Sequence, residues 1–225
     1  MKKYELTSET KSVDGKTLYR IRSLIDFSNV KQGDLGGWIE KEANLSQDGT
    51  AWVSGNAQVF DNARVSDDAR VFGYACVYGN AQVFDNAKVS GDVLVSVDAQ
   101  VTDYAQISED AYVSGKAYVF DNAQVFGNAK VSGDVLVFGN ALVSGDAWVF
   151  GNAWVSGNAQ VFDKAQVFDK AWVSGRVQLS DNEYVSGDAH VFGNLALRIY
   201  LATRRLPVIR LKEYLTTKLL NWKKK

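Results

Sequence analysis

From Ala51 to Asn194 the chain is one uninterrupted run of six-residue units: AWVSGN, AQVFDN, ARVSDD, ARVFGY, and so on to AHVFGN. The run comprises 144 residues, or 24 hexads, with no residue inserted or lost, and its consensus is Ala-X-Val-Ser/Phe-Gly/Asp-Asn/Asp. A period this short and this strict points to a stacked solenoid, because each unit buries its apolar side only against its neighbours. Ala and Val flank a variable residue, so one side of each short strand is small and apolar while the other is unconstrained. Val53, Val59 and Val65 are expected to point inward. Ala57, Ala63 and Ala69 should do so near the corners, where only a small side chain fits. Gly or Asp followed by Asn or Asp supplies each turn, since these residues tolerate left-handed backbone angles.

Three strands and three turns close a triangular coil of eighteen residues. Eight coils spaced about 4.8 Å apart give a shaft of roughly 38 Å. The expected fold is an all-β solenoid, a parallel β-helix; an antiparallel meander would need longer strands for stable hairpins. Both open ends of such a shaft need covering. Residues 3–8 and 17–24, around Asp14-Gly15, read as a hairpin. Gly33-Asp34-Leu35-Gly36-Gly37-Trp38-Ile39 then leads into a partial first coil through Leu45. Beyond the repeats, Pro207 precedes Val208, Leu211, Leu215, Leu219 and Trp222 at helical spacing, and residues 195–205 also read as helix. The organisation is thus a capping hairpin and lead-in loop over 1–38, a β-helix over 39–194, and a basic amphipathic helical tail over 195–225.

The repeat pattern resembles that of the hexapeptide-repeat family, whose members form left-handed parallel β-helices, and the left hand is implied by that resemblance. Lys3-Tyr4-Glu5-Leu6-Thr7, Thr17-Leu18-Tyr19-Arg20-Ile21-Arg22 and Gly33-Asp34-Leu35-Gly36-Gly37-Trp38-Ile39-Glu40 are similar to the opening of phage and prophage hexapeptide-repeat proteins described as polymer-forming. The likeness covers residues 1–194 and implies a phage context and a fold rather than a reaction.

Charge is unevenly spread. Residues 51–194 carry eight basic and seventeen acidic side chains, whereas residues 195–225 carry nine basic and one acidic. An acidic shaft is therefore followed by a basic tail. The lone cysteine, Cys76, excludes an intrachain disulfide and a cysteine-rich zinc site. The first residues lack the apolar core of a signal peptide, and no apolar run has the length of a membrane-spanning helix. A cytoplasmic location, in a bacterial host cell, is expected.

No catalytic, cofactor-binding or metal site is expected. Many hexapeptide-repeat proteins are acyltransferases, and those similar enzymes use a histidine base and a loop projecting from the coils. Here the one histidine, His190, sits at an outward position of the final hexad, and no loop interrupts the repeats. A general base must be held and oriented near its proton. The corner Asp and Asn residues are explained by turn chemistry, because their columns are mixed with Tyr74, Tyr104, Lys116, Lys164, Lys170 and Arg176. Thr102 is nearly alone among outward positions, unlike a threonine ladder.

Residues eighteen apart should stack, so the outward positions sort into three faces. The first holds Trp52, Arg70, Lys88, Gln106, Gln124, Leu142, Gln160 and Gln178, and reads as solvated. The second holds Gln58, Cys76, Leu94, Tyr112, Lys130, Trp148, Gln166 and Tyr184, and is mixed. The third holds Arg64, Gln82, Gln100, Tyr118, Leu136, Trp154, Trp172 and His190. With Phe120 and Phe138 two residues further on, Tyr118, Leu136, Trp154 and Trp172 should form one apolar wall, the candidate protein interface. Stacking ladders such as Phe150 over Phe168 are the competing explanation.

In the tail, Arg204, Arg205, Arg210, Lys212, Lys218 and Lys223 are candidates for contact with an anionic surface, either lipid or nucleic acid. Capping of the last coil, with these charges solvated, is the favoured reading. The expected function is non-catalytic protein–protein interaction. The partners are a second copy of the chain, forming a homo-oligomer, and a host protein such as an antiviral defence component. A self-assembling spacer is the alternative, and acyl transfer a minor one.

Overall fold

The computed structural model describes residues 1–193 and a two-residue strand, Ile209–Arg210. From Trp52 onward the second and third residues of each hexad form a short strand. Each strand pairs in parallel with the strand eighteen residues on, as Arg70 with Lys88 and Lys88 with Gln106. Three sheets result, one per face. The first runs over eight strands from Trp52–Val53 to Gln178–Leu179, and the third over nine, from Arg64–Val65 through His190–Gly193 to Ile209–Arg210. The second has eleven strands, because three N-terminal strands extend the eight from Gln58–Val59 to Tyr184–Val185.

Coil hangs from coil through the backbone. Gln58 donates its N–H to the Ala75 carbonyl at 2.8 Å, Phe60 to that of Val77 at 3.1 Å, and Asn62 to that of Gly79 at 2.8 Å. Inside, the first and third positions of the hexads from Ala51 to Val173 are buried, Ala stacked on Ala and Val on Val. The pattern loosens near the last coil, where Glu183 takes an Ala position and Ala189 is only half-buried.

From Gly55 to Gly187 each corner residue at the fifth position sits in the left-handed region, most of them glycine (Gly55 at φ 65°, Gly127 at φ 69°) or aspartate (Asp61 at φ 60°, Asp121 at φ 58°), with Val97 and Glu109 each at φ 63°. The aspartates do more than tolerate the angle. The carboxylate of Asp61 accepts the Gly79 N–H at 3.2 Å, that of Asp121 the Gly139 N–H at 3.0 Å, and that of Asp169 the Gly187 N–H at 2.9 Å. Each satisfies a corner donor of the next coil.

The N-terminal end is closed by β1 (Tyr4–Val13) and β2 (Lys16–Ser23), antiparallel about Asp14-Gly15, and by β3 (Leu35–Ile39). β3 pairs antiparallel with β2 on one edge and parallel with Gln58–Val59 on the other, so the parallel ladder ends in a hairpin rather than in a bare edge. β1 is longer than the expected 3–8 and carries a register shift between Leu6 and Thr10. The first coil is two residues longer than the rest, since Ile39 faces Val59 and Leu45 faces Val65 across twenty residues instead of eighteen. The surplus wraps Lys3, whose buried ammonium donates to the carbonyls of Ala51 at 3.0 Å and Asp48 at 3.2 Å. Burial pushes this ammonium down to about 8, with Asp48 and Asp68 opposing.

Two expectations are corrected. Trp52 is not part of a solvated face: it is 6% exposed, because Phe27 packs edge-on against it at 5.4 Å and Tyr4 at 6.4 Å. In the tail, Ile209–Arg210 is strand rather than helix, and pairs with Val191–Phe192, again at eighteen residues. A backbone edge offered by the last coil outweighs the helical spacing of the apolar residues there. The other helical positions, residues 195–205, Val208, Leu211, Leu215, Leu219 and Trp222, lie outside the described residues.

Corner crowding yields a paired test. A Cβ on Gly115 would lie 2.6 Å from the Gly133 nitrogen, whereas one on Gly187 meets nothing within 4 Å among the described residues, although both residues are left-handed. Gly187→Ala is expected to cost about 1–2 kcal/mol from backbone angle alone, and Gly115→Ala clearly more, read as thermal midpoints. The cap gives a second test. Lys3→Met leaves buried carbonyls unpaired and is expected to destabilise by about 1–3 kcal/mol. Wild-type Lys3 is neutral in the fold above about 8 but still binds a proton when unfolded, up to its ordinary value of 10.5. Its contribution to stability therefore rises with pH through that window, and the Lys3→Met variant should lack this rise in a pH series of thermal melts.

Candidate interaction face

Regular coils convert sequence spacing into columns of side chains. On the third sheet, Tyr118 pairs in register with Leu136, Leu136 with Trp154, Trp154 with Trp172, and Trp172 with His190. Four of the six expected wall residues are therefore consecutive on one face. Trp154 is 41% exposed and projects furthest, while Tyr118, Leu136 and Trp172 are half-buried by their neighbours. Trp154 and Trp172 meet edge to face at 5.5 Å, and Trp172 meets His190 in the same way at 5.4 Å. The Trp172 indole N–H donates to the Ser156 hydroxyl at 3.0 Å, which fixes its ring.

Phe120 and Phe138 occupy the corner that follows the third sheet. They stack at 5.0 Å with planes 4° apart, and Tyr118 tilts against Phe120 at 4.6 Å. They are half-buried, as Tyr118, Leu136 and Trp172 are, and their stacking forms a ladder along one edge of the face. Within this face the strand and corner aromatics therefore differ in their surroundings: Trp154 is 41% exposed, whereas Phe120 and Phe138 stack on each other. Beside this edge runs a column of left-handed corner aspartates, Asp67, Asp85, Asp103 and Asp121. Burial, with Asp103, Asp85 and Asp121 adding to it, pushes the Tyr118 phenol up. Thr102 follows the same strand column and is buried, its hydroxyl donating to the Asp85 carboxylate.

The aromatic surface reaches further than columns alone disclose. Trp148, on the second sheet, is 45% exposed, with Lys130 over its ring at 4.9 Å and Phe150 edge-on at 6.4 Å. Phe150 stacks on Phe168 at 4.9 Å. Trp148, Phe150 and Trp154 lie in two successive hexads of one coil, so a ridge turns the corner from the second sheet onto the third. Reading adjacent hexads together, instead of every third one, carries that signal.

Elsewhere the second face is covered. Leu18, Trp38 and Phe60 are buried together under the hairpin, with Val13, Cys76 and Tyr78 against them. Lys11 lies 4.7 Å and Arg20 5.1 Å from the Trp38 ring, and Lys16 forms an ion pair with Asp61 that pins the hairpin tip. Burial beneath this lid, more than the nearby Asp14 and Asp61, pushes the Cys76 thiol up to about 11. Of the tail candidates, Arg210 falls in the short terminal strand, and Arg204, Arg205, Lys212, Lys218 and Lys223 lie outside the described residues.

The YdcK β-solenoid repeat family matches this chain over residues 57–71 and 63–79, two overlapping windows in the early coils. No curated protein matches it.

The Cys76 thiol provides a pH test of the lid. Between its ordinary value of 9.0 and about 11 the folded chain keeps a proton that the unfolded chain loses. Its stabilising contribution is therefore full below pH 9 and falls as pH rises toward 11. Cys76→Ser should remove that part of the slope in thermal melts. Alkylation of native Cys76 at pH 8 should run about a hundredfold slower than in the denatured chain, in proportion to the thiolate lost.

Proposed function

We propose that this protein works by binding rather than by catalysis, and that its third face seats against a second copy of the chain. The observation that carries this reading is the line of Tyr118, Leu136, Trp154 and Trp172 on consecutive strands, with Trp154 41% exposed at its centre. A soluble chain rarely leaves aligned Trp and Tyr side chains uncovered unless they anchor an interface. Charge adds support: the shaft, with seventeen acids against eight bases, and the segment after it, with nine bases against one acid, are complementary between copies. The likeness of the N-terminal stretch to phage hexapeptide-repeat proteins favours a host-cell protein, such as a defence component, as the target of the assembled rod. The same face also suits a spacer that self-assembles without limit.

Sedimentation velocity across a concentration series tests the reading. The wild-type chain is expected to form a small closed oligomer, and the Trp154→Arg, Trp172→Arg double variant to weaken self-association by more than about thirtyfold, the scale set by two central anchors, with an unchanged far-ultraviolet spectrum. An unchanged oligomeric state in the variant would refute the interface. Growth without limit would replace the closed binder with the self-assembling spacer.

A further inference from the structure

A second feature of the molecule, distant from the aromatic face, has the makings of a ligand site. Where the segment between β2 and β3 leans on the first sheet it leaves an open groove of about 530 Å3, lined by Asn29, Asp34, Leu35, Trp52, Arg70, Phe72 and Lys88 among others. This volume falls within the range of small-molecule sites.

The groove carries an electrostatic arrangement that folding alone does not ask for. Arg70 and Lys88 are directly opposed on neighbouring strands. Like charges so placed in a ladder destabilise it. Among the described residues neither forms an ion pair, on a shaft that is otherwise acidic. Arg70 is instead held by neutral groups, its two terminal nitrogens donating to the Asn29 side-chain carbonyl at 2.5 Å and to the Ser28 hydroxyl at 2.5 Å. The guanidinium is thereby oriented by neutral partners, with no direct ion pair among the described residues. Two carboxylates stand near: Asp34 lines the groove and accepts the Lys31 N–H at 2.8 Å, and Asp68 accepts from the Thr50 hydroxyl at 2.7 Å, which with the charges of Lys3 and Arg70 holds it below the usual carboxylate range.

Beside the two cations the groove is apolar. Leu35 is 51% and Phe72 40% exposed, and the buried indole of Trp52 belongs to the lining. We infer that this groove binds a small organic anion, its carboxylate or phosphate group between Arg70 and Lys88 and its apolar body against Leu35 and Phe72. Arg70 offers the fork of donors that suits either oxyanion, and Lys88 adds a mobile point charge from one coil away.

The test is a titration of the full isotope-labelled chain, followed by nuclear magnetic resonance. The probes are phenyl phosphate, phenylacetate and, as the uncharged control, 2-phenylethanol. The anions should shift the Arg70 side-chain N–H and the backbone amides of Ser54, Phe72 and Lys88 saturably below about 10 mM, and the alcohol should not. Tighter binding of one anion over the other identifies the headgroup. Lys88→Gln, which removes a side chain with no hydrogen-bond or ion-pair partner among the described residues, should weaken binding at least about fivefold, one lost charge-assisted contact, while leaving the remaining spectrum in place. Arg70→Ala should do the same, and Lys88→Gln keeps the test decisive should loss of the Ser28 and Asn29 contacts loosen the cap. No saturable shift with either anion, equal shifts with the alcohol, or wild-type binding by Lys88→Gln would overturn the assignment.

Discussion

Every feature of this molecule depends on coil closure. Two strand residues, one left-handed corner and a small apolar residue at each bend bring the chain back over itself after eighteen residues, so that Gln58 reaches the Ala75 carbonyl and Asn62 that of Gly79. Closure fixes the register, and register fixes which side chains become neighbours. An insertion in the shaft would displace every later column. The one departure, the two surplus residues of the first coil, occurs where the hairpin cap meets the shaft and the excess is used to enclose Lys3. Stability is correspondingly local, with each coil supporting the next, which places the burden of termination on the cap.

The interior and the column order were legible in the sequence because the hexad period holds without interruption, so Val and Ala could be assigned inward and Tyr118, Leu136, Trp154 and Trp172 to one face. Four things were not legible. The burial of Trp52 results from Phe27 and Tyr4, which approach from parts of the chain that share no period with the shaft. Which outward aromatics stand clear, as Trp154 does, and which are stacked, as Phe120 and Phe138 are, depends on packing between coils that an outward label does not contain. The strand at Ile209–Arg210 competes with an apolar spacing that reads as helix, and it follows from an available edge rather than from local preference. The corner aspartates were understood for their backbone angles, but their second task, accepting an N–H from the coil beyond, is a relation between coils and not within one hexad.

The chemistry is segregated in the same manner. The first face holds the stacked cations at its capped end; the second is roofed by the hairpin over Cys76 and bears Trp148 further along; the third carries the aromatic line beside a column of aspartates. Buried groups with shifted protonation, Lys3 and Cys76, lie under the cap and serve to hold it or result from it. On such a scaffold, which columns are apolar, acidic or basic at a given height sets the chemistry of each surface.

The eighteen-residue pitch also makes length and surface chemistry separately adjustable. Excising three consecutive hexads from the shaft would shorten the rod by one coil and leave every remaining side chain on its original face. Excising a single hexad would instead rotate everything beyond it by a third of a turn: Trp154 would move to the place now held by Trp148, and the aromatic line would pass onto the second sheet. The molecule is thus a ruler whose markings turn when cut at the wrong interval, so changes in length that preserve its faces come only in whole coils.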